Sequence, residues 1–168
     1  MVLAPEHPLI EHITSSEYQT HIKNYQEYCL SRSDIDRQAN KEASGQFTGS
    51  YCVHPLTQKP IPIYIAEYVL MGYGTGAIMA VPAEDERDRK FAEKYGLDIL
   101  PIYDKSEVEH PDVGDKKGKL VHSEFINGMS WEQGFDVVME RLAAMGLGQY
   151  TTLYRLRDAN FSRQRYWG

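Results

Sequence analysis

Apolar positions change their period several times along the chain, and each change predicts an element. Met1, Val2, Leu3 and Ala4 form a continuous apolar run that reads as the end of a buried strand, broken by Pro5 and Pro8. Over 15–30 the spacing of Tyr18, Ile22, Tyr25 and Leu30 predicts an amphipathic helix. A more polar helix is expected over 33–43, capped by Ser33 or Asp34. Gly45 and Gly49 open a different texture, in which Tyr51 and Val53 lead into a Pro/Thr/Gln turn. The most strand-like stretch follows: Ile61, Ile63 and Ile65 share one face, and Tyr64, Ala66 and Tyr68 share the other.

Gly72, Gly74 and Gly76 predict a tight bend. The run 77–81 is apolar without alternation, as expected of a strand covered on both sides. Pro82 ends it, and a helix is expected over 85–95 with Asp85 as cap and Asp88 as the third position of a capping-box-like pair. Phe91 and Tyr95 continue the face that begins at Asp88, and Gly96 supplies the stop. A short strand over 99–103, an exposed charged loop over 104–119 and a weak strand over 120–125 complete this part. Ser130 is expected to cap a helix running to Met145, with Trp131, Phe135, Val138 and Leu142 on its buried side and Gly146 ending it. Mixed strands and short helices imply an α+β (α/β mixed), barrel-like domain, and no internal repeat is present.

Composition narrows the function classes. With 24 acidic against 18 basic residues in 168, the formal charge of -6 argues against a nucleic-acid binder held by bulk charge. It leaves room for a domain that receives one RNA end in a small pocket. The two cysteines, Cys29 and Cys52, are not paired in a Cys-x-x-Cys motif, and the six histidines form no His-x-x-x-His pattern, so no metal site is expected. No apolar run approaches the ~18 to 20 residues of a membrane span, and Glu6, His7 and Glu11 interrupt any signal-like start. A cytoplasmic location without membrane contact is the expectation. The tail 154–168 carries four arginines against one aspartate; it suits phosphate or base contacts and equally suits a solvated end.

The strongest concentration of chemistry is 72–88. Its glycines allow close approach of a ligand, and its strand delivers Asp85 and Asp88 to the first turn of a helix, where free amides favour ionised carboxylates. An ionised acid there can anchor an ammonium group. The competing reading is purely structural: Asp85 caps, Asp88 completes the box and Arg87 is solvated. A nucleotide-binding glycine loop is disfavoured, because no Lys-Ser/Thr pair follows.

Phe47-Thr48-Gly49, His54-Pro55-Leu56, Tyr73-Gly74-Thr75-Gly76 and Met79-Ala80-Val81-Pro82, followed by Asp85-x-Arg87-Asp88, resemble the editing domain of leucyl-tRNA synthetases. Isoleucine and valine relatives share the Gly-Thr-Gly turn but usually continue through a His-x-Ala-Pro-type sequence, so the Met-Ala-Val-Pro run favours the leucine branch. Leu156-Arg157-Asp158 and the stretch from Ser162 to Gly168 resemble the segment by which these enzymes re-enter their Rossmann-like catalytic domain. The resemblance implies an editing domain over 1–152, lacking an upstream threonine-rich part, and over 153–168 a linker with the start of the catalytic return.

That likeness also implies roles. Asp88 would anchor the α-amino group of a mischarged amino acid, with Asp85 supporting the same side of the pocket. Met79 and Val81 would face the amino-acid side chain and terminal ribose. Tyr73 would line the adenosine end, with Gly74, Thr75 and Arg87 completing the substrate-binding set. The implied reaction is hydrolysis of the ester between a wrong amino acid and the 3′ end of tRNA-Leu, with no cofactor; the parent ligase would use ATP and Mg to attach leucine, as a monomer. Two departures stand out. Glu84 occupies the place where the family commonly has histidine, and no Thr-Arg-Pro-Asp-Thr-like stretch is present. Negligible editing by the chain alone is therefore expected. An isoleucyl or valyl relative and a non-catalytic module for a tRNA end are the alternatives.

Overall fold

The computed structural model describes residues 1–40, 42–72, 74–106 and 117–152. Tyr73, the centre of the charged loop and the tail motifs over 154–168 lie outside the described residues. A four-stranded sheet organises the rest. Its strands are β1 (Val2–Leu3), β2 (Gln46–Val53), β3 (Pro60–Ile65) and β4 (Ala77–Ile78), in the spatial order β2-β3-β1-β4. The pair β1–β3 is parallel, with Val2 opposite Tyr64; β2–β3 and β1–β4 are antiparallel.

Strand alternation sends neighbouring side chains to opposite faces, and it builds two cores here. Leu3, Ile63 and Ile65 meet Ile10 and Ile22, which come from α1 (Ile10–Ile13) and α2 (Gln19–Leu30). Val2, Ala4 and Ala66 instead meet Val69 and Phe91, the latter from α4 (Glu86–Tyr95). The expected division of β3 between an isoleucine face and a Tyr64/Ala66 face is therefore observed. Aromatic rings extend the second core: Tyr64 lies 5.4 Å from Phe91, and Phe91 lies 4.6 Å from Tyr95. Tyr95 closes the far end by donating its hydroxyl to the Gly45 carbonyl at 2.7 Å.

The pairing of β2 with β3 shifts register between Phe47 and Tyr51. Inside the shift the buried Thr48 hydroxyl donates to the Ile63 carbonyl at 2.8 Å. Gly49 has φ +80°, and a Cβ there would stand 2.1 Å from the Ser15 hydroxyl. Glycine is thus required twice over, by backbone angle and by the approach of the 15–18 segment.

Several boundaries differ from the sequence reading. Helix α2 starts at Gln19, because Ser15 to Tyr18 form a turn closed by the Tyr18 amide on the Ser15 carbonyl at 3.0 Å, and α3 spans only Asp34–Ala39, with Asn40 leaving helical geometry. Only Ala77 and Ile78 of the run 77–81 are strand; Met79 and Val81 are half exposed. The run lies at the sheet edge, and Val81 gives its amide to Asp88 instead of to a neighbouring strand. A second, two-stranded sheet pairs β5 (Tyr103–Asp104) with β6 (Lys119–Leu120), shorter than the strands expected over 99–103 and 120–125. Residues Glu124–Ile126 form a 3-10 turn.

Helix α5 (Trp131–Ala144) opens with a full capping box between Ser130 and Gln133. Its expected buried side is corrected. Gly134 is its buried residue, Trp131, Val138 and Leu142 are only partly covered, and Phe135 is exposed. The helix seats through glycine, because any Cβ at 134 would meet Leu120 at 2.3 Å, and this close contact leaves the larger side chains to either side. Helices on a mixed sheet, with a second small sheet, make the α+β fold expected from the sequence.

Candidate functional site

The site is built where β4 leaves the sheet and α4 begins. Pro82 cannot donate to a ladder, and the chain turns through 82–85 with the Asp85 amide on the Val81 carbonyl at 3.0 Å. Asp85 takes the extended conformation of an N-cap. One of its carboxylate oxygens accepts the Arg87 amide at 2.9 Å and the Asp88 amide at 3.0 Å, satisfying two of the free donors at the helix start.

Asp88 does something else, and the capping-box role expected for it is corrected. It is 7% exposed and turned into the protein. Oδ1 accepts the Tyr68 hydroxyl at 2.9 Å, and Oδ2 accepts the Val81 amide at 2.8 Å. Burial, followed by the neighbouring Asp88 charge, pushes the Tyr68 phenol upward, so Tyr68 remains a donor. Each Asp88 oxygen keeps a second lone pair.

A cavity of about 820 Å³ opens beside this carboxylate. Asp85, Arg87 and Asp88 line it together with Tyr68, Ile78 and Asn40. Arg87 is exposed and stacks over the Tyr68 ring, 5.7 Å from its centroid. Three sequence-predicted residues are thus brought to one hollow. Met79 and Val81 do not line it; their side chains stand half exposed where the chain leaves β4. Gly74, with φ +58°, and Thr75 are exposed in the preceding turn.

Glu84, the departure before the first aspartate, lies in an ion pair with Lys105 at 2.8 Å, both side chains largely covered. Its charge ties the helix entrance to the β5 end of the second sheet. Among the described residues no grouping of three His, Cys, Asp or Glu suits a metal ion, and no helix is long and apolar enough to cross a membrane.

Sequence reasoning missed the polar cluster on the other side of Tyr68. Glu67 is 1% exposed, and its carboxylate accepts from Arg32 at 2.8 Å, Asn40 at 2.7 Å and Ser44 at 2.5 Å. The Tyr25 hydroxyl accepts the Glu67 amide at 3.0 Å. Arg37 donates to the carbonyls of Glu67 and Val69, each at 3.0 Å, and pairs with Glu6. Its one sequence signal was a lone acid, Glu67, set between the apolar Ala66 and Val69 at the end of the strongest strand.

The family model for the editing domain of leucyl-tRNA synthetase matches residues 1–143. A leucine–tRNA ligase of Elusimicrobium minutum is 48% identical over 170 residues, covering all of this chain and 20% of that protein. One from Clostridium perfringens SM101 is 47% identical over 172 residues, covering all of this chain and 21% of that protein. The chain thus spans about a fifth of the length of these curated relatives. The LeuRS of an Agrobacterium radiobacter K84 ternary complex with tRNA and LeuAMS superposes with a TM-score of 0.71 at 31% identity, over 93% of this chain and 16% of that one. The family model over residues 1–143, with leucine–tRNA ligases 47–48% identical across the whole chain, places this chain in the family of bacterial-type leucyl-tRNA synthetase editing domains.

Proposed function

We propose that this chain supplies the ammonium-gripping side of a proofreading pocket, in a ligase that attaches leucine to tRNA-Leu. The observation that carries the reading is the Asp88 carboxylate. It is buried, held by two donors and set at the wall of a cavity large enough for an esterified amino acid. A carboxylate so placed attracts the α-ammonium common to all aminoacyl esters. Selection among side chains then falls to shape; Met79 and Val81 stand outside the described lining of the cavity and offer half-exposed apolar surface next to Ile78 and Asp88.

Tyr73, Gly74 and Thr75 complete the adenosine side in this reading. Arg87, stacked over Tyr68, stands at the cavity mouth for the anionic RNA end. The reaction is ester hydrolysis. The oxygen of water bonds to the acyl carbon, the bond to the terminal ribose breaks, and the ribose oxygen takes a proton. Asp85, with one oxygen already committed to two amides, holds the helix start that carries Asp88.

A second sieve of this kind answers a physical limit, since one methylene is worth only about 1 to 3 kcal/mol in a binding pocket. Aminoacylation with ATP and Mg belongs to other parts of such a ligase, and no step here runs through them. The tail 153–168 is the return toward that region, and the whole enzyme is a cytoplasmic monomer. Asp88→Ala in a complete ligase carrying this segment should slow deacylation of norvalyl-tRNA-Leu by about 100-fold, the scale of a lost charge-assisted contact. Leucylation should stay within about twofold. Unchanged deacylation would overturn the role of Asp88 and favour a non-catalytic module for the tRNA end.

A further inference from the structure

Asp88 can recognise an ammonium only if its carboxylate plane is fixed. A free aspartate rotates about two bonds, and a buried one without donors is costly. The structure supplies the fixing groups from outside the helix. Val81 contributes a backbone amide, which among substitutions only proline would remove. The Tyr68 hydroxyl is the sole side-chain donor to this carboxylate among the bonds of the described residues.

Tyr68 is itself held with unusual completeness. Arg37, 3% exposed, donates to the carbonyls on both sides of it, Glu67 and Val69. The Tyr25 hydroxyl accepts the amide of Glu67, and the Glu67 carboxylate is gathered by Arg32, Asn40 and Ser44. The ring rests edge-on against Phe91, 6.0 Å between centroids, one turn of α4 beyond Asp88. The hydroxyl is thus aimed by its backbone and by its ring.

We propose that Tyr68 is a positioning residue for substrate recognition, transmitting the Arg37-clamped backbone to the Asp88 carboxylate so that the free lone pairs of that carboxylate face the ammonium. This rests on the proofreading reading of Asp88 and deepens it. Tyr68 touches no reacting atom; it acts through Asp88. Burial and the adjacent carboxylate keep its phenol protonated, so it donates throughout the working pH range. Removing the hydroxyl leaves the ring and its contacts with Phe91 and Arg87, but frees Oδ1 to turn.

The test uses a complete leucine–tRNA ligase carrying this segment, with two esters of the same tRNA. One is norvalyl-tRNA-Leu; the other is its α-hydroxy counterpart, made by nitrous deamination, which lacks the ammonium. Tyr68→Phe should lower kcat/KM for the aminoacyl ester about 10-fold, chiefly through KM, as expected for one hydrogen bond to a charged group. Hydrolysis of the hydroxy ester should stay within about twofold, which reports that the fold around Tyr68 is intact, and leucylation by the same variant should stay within the same margin. Equal losses on both esters, or no loss on either, would overturn the positioning role. Asp88→Ala, run in parallel, separates the two levels. If it spares the aminoacyl ester, the proofreading reading itself falls. If it alone discriminates between the esters while Tyr68→Phe does not, only the inference about Tyr68 falls.

Discussion

Asp88 and Asp85 sit three residues apart on one helical turn, yet the fold gives them different work. Asp85 is exposed and spends an oxygen on two amides, whereas Asp88 is buried and takes its donors from other elements. Asp85→Asn retains a capping acceptor, so it should preserve both stability and deacylation. Asp85→Ala should cost about 1 kcal/mol, read as a lower urea midpoint. A large loss of deacylation in the Asn variant would instead give the Asp85 charge a direct role. Cys29 offers a pH-dependent check on the α2 core. Burial pushes its thiol up to about 11, and the nucleophile is the thiolate, so labelling should be suppressed below that pH and rise toward it. At pH 8 iodoacetamide should modify the half-buried Cys52 first, with Cys29 reacting only on unfolding. Equal labelling of the native chain would contradict the packing. The pair Asp85/Asp88 was legible from its spacing before Gly96. Their division of labour was not, because it depends on Tyr68 and Val81, which lie 20 and seven residues away in the chain.

At the scale of elements, periodicity succeeded where one face is covered and failed where neighbours decide. The β3 alternation and the α4 boundaries, from the Asp85 cap to the left-handed Gly96, followed from local chemistry. The run 77–81 looked like a fully covered strand, but an edge position and the diversion of the Val81 amide leave only two residues paired. The spacing of helix α5 predicts Trp131, Phe135, Val138 and Leu142 on its buried side, whereas its close contact is made by Gly134 against Leu120. The polar junction of α2, α3 and the end of β3 left only the lone acid Glu67 as its sign in the sequence, since Arg37, Asn40, Ser44 and Glu67 converge only in three dimensions. Glu67→Ala removes the acceptor shared by Arg32, Asn40 and Ser44. It should cost about 3 kcal/mol in urea denaturation, the scale for breaking a buried ion pair from one side. A change below about 0.5 kcal/mol would show that water replaces the cluster without penalty.

For the whole molecule, two apolar cores on opposite faces of one sheet set the buried Asp88 at a cavity wall that it shares with Asp85, Glu67 and Glu86, and in the proposed reading the net charge of -6 leaves RNA recognition to local geometry. The family was legible from short motifs, because Gly-Thr-Gly, Met-Ala-Val-Pro and Asp-x-Arg-Asp carry backbone and charge requirements that composition does not. The described lining of the cavity contains no serine or threonine, and the chain covers about a fifth of its curated relatives. The chain alone should therefore hydrolyse norvalyl-tRNA-Leu negligibly, measured as release of norvaline from the charged tRNA. Deacylation by the chain alone at the rate of a complete ligase would contradict this account of the pocket. The central claim is the grip of Asp88 on a charged amine, and calorimetric titration of a non-hydrolysable norvalyl-adenosine mimic into the complete ligase tests it most directly. The account predicts that Asp88→Ala weakens binding about 100-fold, the equivalent of roughly 2.7 kcal/mol. Affinity unchanged by that substitution would contradict it.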